Sequence, residues 1–334
     1  MKAVRFVLWA VLLGCFLASL SRVSAQTASA SNATTTLSPE KSRSRGSTAL
    51  LQPRAPLAGQ PFDDRELDLY LEAEARKLWA AGRIQALRFE RRTCAVQTAI
   101  PGTEKLAGPV LAARAEAATL VLGEFSRQGK KREITFNVAG GAFVIASSGV
   151  CLTSLHVAQD KASRGFCAMT RDGRVFPVRE ILAHESVNDL AIFQLDLPDG
   201  VTLPSLPLAA EPAPAGTPIF VMSHPDDRFY LLSTGHVARH TLWRTEAGAE
   251  AFMTITADFA KGSSGCPVLD ERGAVVGIVN NTESIYYDDD GKKKQTDLQM
   301  VVKNATPSWA AHPMLGNEPK PSGDALSAAP QGKN

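Results

Sequence analysis

From about Ala113 to Val279 the chain never holds an apolar face for long. Short apolar runs alternate with turn residues. The runs are Ala118–Leu122, Ile134–Val138, Ala142–Ala146, Val150–Thr153, Val175–Val178, Leu190–Leu195, Pro218–Met222, Ala251–Thr256 and Ala274–Val279. Between them stand Ser147-Ser148-Gly149, Arg171-Asp172-Gly173, Pro198-Asp199-Gly200 and Glu271-Arg272-Gly273. Each run is too short for a buried helix and each break favours a tight turn. This texture predicts an all-β domain over 113–312, built as a sandwich or a pair of barrels.

The flanks read differently. Asp63 and Asp64 are acidic residues where a helix starts, and Leu67, Leu71, Ala75 and Leu78 recur at helical spacing. An amphipathic helical segment is therefore predicted over 61–92. Residues 26–60 are rich in Ser, Thr, Ala, Pro and Arg, with too few large apolar groups to offset the entropy of ordering, so they predict a disordered leader. The Pro-, Gly- and Ser-rich residues 313–334 predict a disordered tail.

Residues 1–25 have the form of a secretion signal. Lys2 and Arg5 precede an apolar run from Phe6 to Leu20, and Val23-Ser24-Ala25 places small residues before a cut at Gln26. The run is about 15 residues, short of the roughly 20 that span a bilayer. Leu12-Leu13-Gly14-Cys15 has the form of a lipobox, so lipidation at Cys15 is the alternative; the run continuing through Phe16, Leu17 and Leu20 favours cleavage. The expected location is periplasmic or extracellular, with no membrane span after cleavage.

The net charge of +2 calls for no polyanionic partner, and no nucleic acid is expected. Cys94, Cys151, Cys167 and Cys266 lie beyond the signal and allow three complete pairings. No Cys-x-x-Cys pair is present, and His184, His224, His236 and His240 lack metal-ligand spacing, so neither metal nor cofactor is expected. Those histidines read as structural or solvated. Asp288-Asp289-Asp290, followed by Gly291 and Lys292-Lys293-Lys294, reads as a charged hairpin tip.

Chemistry concentrates in Gly262-Ser263-Ser264-Gly265-Cys266-Pro267. A hydroxyl nucleophile needs an exposed, tightly turned backbone whose N–H groups can face a developing oxyanion. It also needs a base, and the base needs an orienting carboxylate. His156 follows the run Val150–Thr153, and Asp189 directly precedes Leu190–Leu195.

Taken together, these segments resemble the trypsin-like serine protease superfamily. The likeness is greatest to bacterial trypsin-like peptidases related to HtrA and Deg. It is carried by Gly140-Gly141-Ala142-Phe143-Val144-Ile145, Thr153-Ser154-Leu155-His156-Val157, Asn188-Asp189-Leu190-Ala191 and Gly262–Pro267. The resemblance implies two six-stranded antiparallel β-barrels with the site in the cleft between them. It implies a serine endopeptidase acting on protein or peptide substrate through an acyl-enzyme. Ser264 would be the nucleophile, His156 the base, Asp189 its orienter, and the backbone N–H groups of Gly262 and Ser264 the oxyanion hole. The alternative is a binding protein of the cell envelope on an inactive protease scaffold.

Departures from the family set further expectations. Ser263 stands where animal digestive proteases carry the acid that pairs with a new N-terminus, so activation by that ion pair is not expected. About 70 residues follow Ser264, too few for the PDZ domain that HtrA proteases usually carry. Cys151 and Cys167 flank His156 and are expected on neighbouring strands, paired as a disulfide. Asp258, six positions before Ser264, matches an acid that in trypsin lies at the base of the specificity pocket, which would direct cleavage after Lys or Arg; the other reading is a solvated loop acid. Nothing in the sequence speaks to oligomeric state.

Overall fold

The apolar runs become strands because alternate residues can be buried on two opposite faces. A computed structural model describes residues 61–128, 133–159, 162–246, 248–289 and 295–316. The chain divides into two units, 1–49 and 50–334, and every described residue belongs to the second. The signal segment, the leader, Cys15 and the tail from 317 onward lie outside the described residues, as does the tip at 290–294.

Six strands close the first barrel: β1 (Thr119–Gln128), β2 (Glu133–Ala146), β3 (Val150–Ser154), β4 (Ser163–Met169), β5 (Val175–Glu185) and β6 (Leu190–Leu195). Their spatial order is β1-β2-β3-β6-β5-β4, with β4 returning to pair with β1. The second barrel comprises β7 (Pro218–Ser223), β8 (Leu231–Thr245), β9 (Gly248–Ile255), β10 (Pro267–Asp270), β11 (Val275–Asp289) and β12 (Gln295–Pro307). It closes in the order β10-β11-β12-β9-β8-β7. All pairings within the barrels are antiparallel.

The period of two sorts each strand between two cores. In the first barrel Leu120, Leu122, Val144, Cys151, Phe166, Val178 and Phe193 pack into one cluster to which all six strands contribute, which is the barrel interior. Their neighbours Val121, Phe143, Leu152, Cys167, Met169 and Ile192 face outward into a larger cluster. That cluster is completed by helix α1 (Asp64–Ala80), helix α2 (Gly108–Ala118), a 3₁₀ turn at Ser308–Leu315, and Met222, Tyr230 and Ile278 of the second barrel. Ile219, Val221, Val237, Met253, Val268, Val276 and Ala305 fill the second interior.

The arrangement corrects the expected disulfide. β3 is flanked by β2 and β6, and β4 by β5 and β1, so Cys151 and Cys167 are not on neighbouring strands. Their side chains also belong to different clusters. All four described cysteines are free, and burial pushes the Cys151 thiol up and the Cys167 thiol up to about 12, so both stay protonated.

α1 is shorter than the 61–92 segment expected. Asp63 caps it by accepting from the backbone N–H groups of Arg65 and Glu66. Leu67, Leu71 and Ala75 form its buried stripe, and Trp79 stacks on Phe125 at 4.7 Å. The helix stops beyond Ala80, where Gly82 takes φ +69°. The chain then runs as an irregular strap over the first barrel. Arg83 pairs with Asp196, the Arg91 carbonyl accepts from the His184 backbone N–H, and Cys94 N–H donates to Met314 O. The segment expected as loose tail from 313 is still 3₁₀ as far as Leu315. Among the described residues no helix is long and apolar enough to cross a membrane.

Candidate active site

His156 leaves β3 on a single helical turn, α3 (Leu155–Ala158). Asp189 ends the turn between β5 and β6 with φ +55°, a left-handed conformation that an aspartate tolerates better than most residues. The turn is held from both ends. Glu185 accepts from the backbone N–H groups of Val187 and Asn188, both at 2.7 Å, and from Asn188 Nδ2. Asn188 in turn accepts from Ala251 N–H of β9 and its carbonyl accepts from Thr306 Oγ1 of β12, tying the turn to the second barrel.

The Asp189 carboxylate grips the histidine twice. Oδ1 accepts from the His156 backbone N–H at 2.8 Å, and Oδ2 lies 2.5 Å from His156 Nδ1. This pairing fixes the Nδ1–H tautomer and leaves the Nε2 lone pair free to take a proton. The acid is mostly covered and the imidazole about half exposed, at 19% and 49%.

Ser264 approaches from the turn before β10. Its carbonyl accepts from Gly141 N–H at 2.9 Å, while Gly265 N–H donates to Val279 O. Gly265 leaves no space for a side chain: a Cβ there would stand 2.2 Å from Gly141 O and from Thr153 Oγ1. Gly141 faces the same constraint, because its missing Cβ would lie 2.1 Å from Cys266 Sγ. Cys266 therefore fills the space left by a glycine, and burial pushes its thiol up, so it stays neutral.

Asn280, beside Ser264 on β11, was not singled out by the sequence reading. Its backbone carbonyl accepts from Ser264 Oγ at 3.1 Å, and its side-chain Nδ2 donates to Asp189 Oδ2 at 3.3 Å and to Thr306 Oγ1 at 3.0 Å. The structure thus brings Ser264 to the main chain of Asn280, and Asp189, which holds His156, to its carboxamide. The signal in the sequence was a polar pair, Asn280-Asn281, interrupting an apolar strand. Among the described residues no hydrogen bond joins Ser264 to His156, and none takes up the backbone N–H groups of Gly262 or Ser264. Gly262 adopts φ +94° with its missing Cβ 2.7 Å from His224 O.

His224 is fully buried behind this turn. Its Nε2–H donates to Leu120 O of the first barrel and its Nδ1 accepts from Tyr230 N–H. Burial lowers its pKa to about 4. Asp258 is 92% exposed with Lys303 Nζ 3.7 Å from its Oδ1, so here the acid is solvated, the second of the two readings left open above. A groove of about 740 Å³ between α2 and residues 204–207 lies away from all of these groups. Among the described residues no cluster of His, Cys, Asp and Glu could hold a metal.

Residues 140–278, which hold all three chemical groups, match the trypsin-like peptidase domain family. This segment is similar to trypsin-like peptidase domains. HhoA of Synechocystis sp. (strain PCC 6803), whose name designates it a serine protease by inference, is 32% identical over 146 residues. That match covers 42% of this chain and 36% of HhoA, so the chain spans about a third of the relative's length. Two solved structures of the HtrA-type protease AlgW with a decapeptide, one of them a serine-to-alanine variant, are 18% identical. They align with a TM-score of 0.47, over 62% of this chain and 65% and 64% of theirs. The matched residues occupy the middle of the chain; α1, the strap, β1 and β12 lie outside them.

Proposed function

We propose that this chain is an exported serine endopeptidase that cleaves peptide bonds in protein or peptide substrates through an acyl-enzyme. The observation that carries the reading is the Nδ1 pairing of His156 to Asp189 in the same cleft as a serine turn with two uncommitted backbone N–H groups. Ser264 Oγ attacks the scissile carbonyl. His156 Nε2 takes its proton and returns it to the leaving amine, while Asp189 holds the tautomer and stabilises the imidazolium. The Gly262 and Ser264 N–H groups receive the oxyanion; losing one such donor costs about 3 kcal/mol of transition-state stabilisation.

In the free enzyme the Ser264 hydroxyl is engaged by Asn280 O. Attack requires it to turn toward His156 Nε2, an adjustment that substrate binding commonly completes. The same contact is what favours the second reading, an inactive scaffold that binds without cutting.

A fluorophosphonate probe separates the two. The folded wild type should be labelled on Ser264 and Ser264→Ala should not. Asp189→Asn should lower kcat by about four orders of magnitude while leaving the fold intact. A folded wild type that never takes the probe belongs to the binding reading. Export has its own test: intact mass of protein from a secreting host should begin at Gln26, and a diacylglycerol mass on Cys15 would replace secretion with a lipid tether.

A further inference from the structure

We propose that the short arm Phe62-Asp63-Asp64 is a positioning clamp for the oxyanion turn, acting through the loop 224–230; the catalytic part of this inference rests on Ser264 being the nucleophile. In the sequence Ser263 occupies the place of the acid that locks this turn in animal digestive proteases. Here Ser263 Oγ is buried without a hydrogen bond among the described residues, so it locks nothing. The turn leans instead on the loop. Asp226 N–H donates to Lys261 O at 2.7 Å, and Gly262 packs so closely that a Cβ would meet His224 O at 2.7 Å and Asp226 N at 3.3 Å.

The loop cannot hold this shape by local preference. Asp226, Asp227 and Tyr230 all have positive φ, at 49°, 59° and 58°, and such strain persists only where surrounding contacts impose it. Two of those contacts come from the arm. Phe229 N–H donates to Asp64 Oδ1 at 2.9 Å, between residues 165 positions apart in the sequence. The Arg171 guanidinium lies over the Phe62 ring at 4.6 Å and over the Tyr230 ring at 4.9 Å, joining arm, first barrel and loop in one stack. Tyr230 N–H then reaches His224 Nδ1, whose backbone carbonyl faces Gly262. The arm thus sets the loop, and the loop sets the direction of the Gly262 peptide. Both arm residues lie outside the trypsin-like domain match.

The test uses the full chain with Asp64→Ala, Phe62→Ala, Asp64→Asn and Glu66→Ala. Asp64→Asn keeps a carbonyl oxygen for Phe229 N–H. Glu66→Ala alters the same first helical turn without touching the loop. Two readouts are taken: kcat and KM on a fluorogenic peptide, and hydrogen exchange of residues 224–231 and 259–266. Asp64→Ala and Phe62→Ala should lower kcat about tenfold or more with KM within about twofold, and both segments should exchange faster. Asp64→Asn should restore both readouts and Glu66→Ala should resemble wild type. Faster exchange at 224–231 with unchanged exchange at 259–266 would overturn the clamp. Should the wild type prove unreactive to fluorophosphonate, the nucleophile reading fails while the exchange data still decide the coupling.

Discussion

Asn280 meets two parts of the site, one through its main chain and one through its side chain. Its side-chain amide donates to Asp189 Oδ2 and its backbone carbonyl accepts from the Ser264 hydroxyl, so a side-chain substitution removes only the bond to the acid. A hydrogen bond to a charged acceptor contributes about 1.5 kcal/mol or more, equivalent to roughly tenfold in rate. Asn280→Ala should therefore lower kcat about tenfold. It also removes one of the two hydrogen bonds of Thr306 Oγ1, which should cost about 0.5–1.5 kcal/mol of stability. Asn280→Asp should be worse, because it sets a second carboxylate against Asp189. Steady-state kinetics and urea unfolding on the same samples check both effects; a kcat unchanged in both variants would remove Asn280 from the catalytic arrangement.

At the scale of elements, α1 offers a sharp comparison. Leu71 is fully buried against the outer face of the first barrel, while Leu69, two residues earlier, is 55% exposed. Leu71→Ala should cost about 2–5 kcal/mol and Leu69→Ala under about 0.5 kcal/mol, measured by denaturant unfolding. Equal effects would mean that the helix does not pack as described.

The stripe Leu67–Leu71–Ala75 was legible in the sequence because packing and helical period agree. Its end at Ala80 was not, because the strap that follows keeps apolar residues such as Ile84 and Leu87 without helical geometry. The same division holds for strands. β3, β6 and β10's partner β7 are short and apolar and match the runs read from the chain. β8 and β12 were missed because their outer halves leave the barrel as exposed ribbons, where Leu242, Trp243, Leu298 and Met300 face solvent beside polar neighbours. α2 escaped notice because Ala107 supplies no side-chain cap. His156, Asp189 and Ser264 were readable because each sits in a motif whose small or fixed neighbours have a steric purpose. Asn280 and the arm were not, since their roles arise from contacts between distant segments.

For the molecule as a whole, the two barrels are joined through a histidine that must stay neutral. His224 sits in the second barrel's loop and donates Nε2–H to Leu120 O at the start of the first. Its other nitrogen must accept from Tyr230 N–H, which a protonated ring cannot do. Phe229, Tyr230 and Cys266 surround it, and burial keeps the Tyr230 and Cys266 side chains protonated and uncharged, so neither offers a countercharge. Burial lowers the His224 pKa to about 4, whereas an unfolded histidine titrates near 6.5. The unfolded chain therefore binds this proton first. Stability from His224 is complete above about pH 6.5, falls by about 1.4 kcal/mol per unit as pH drops through the window, and is lost by about pH 4. The total is about 3 kcal/mol. Urea unfolding of wild type and His224→Gln at pH 7, 5.5 and 4 isolates this contribution from carboxylates common to both. The gap in unfolding free energy between them should close by about 3 kcal/mol on acidification. A gap that is constant with pH would mean that His224 titrates alike in the folded and unfolded chain, and that the junction does not depend on its neutrality.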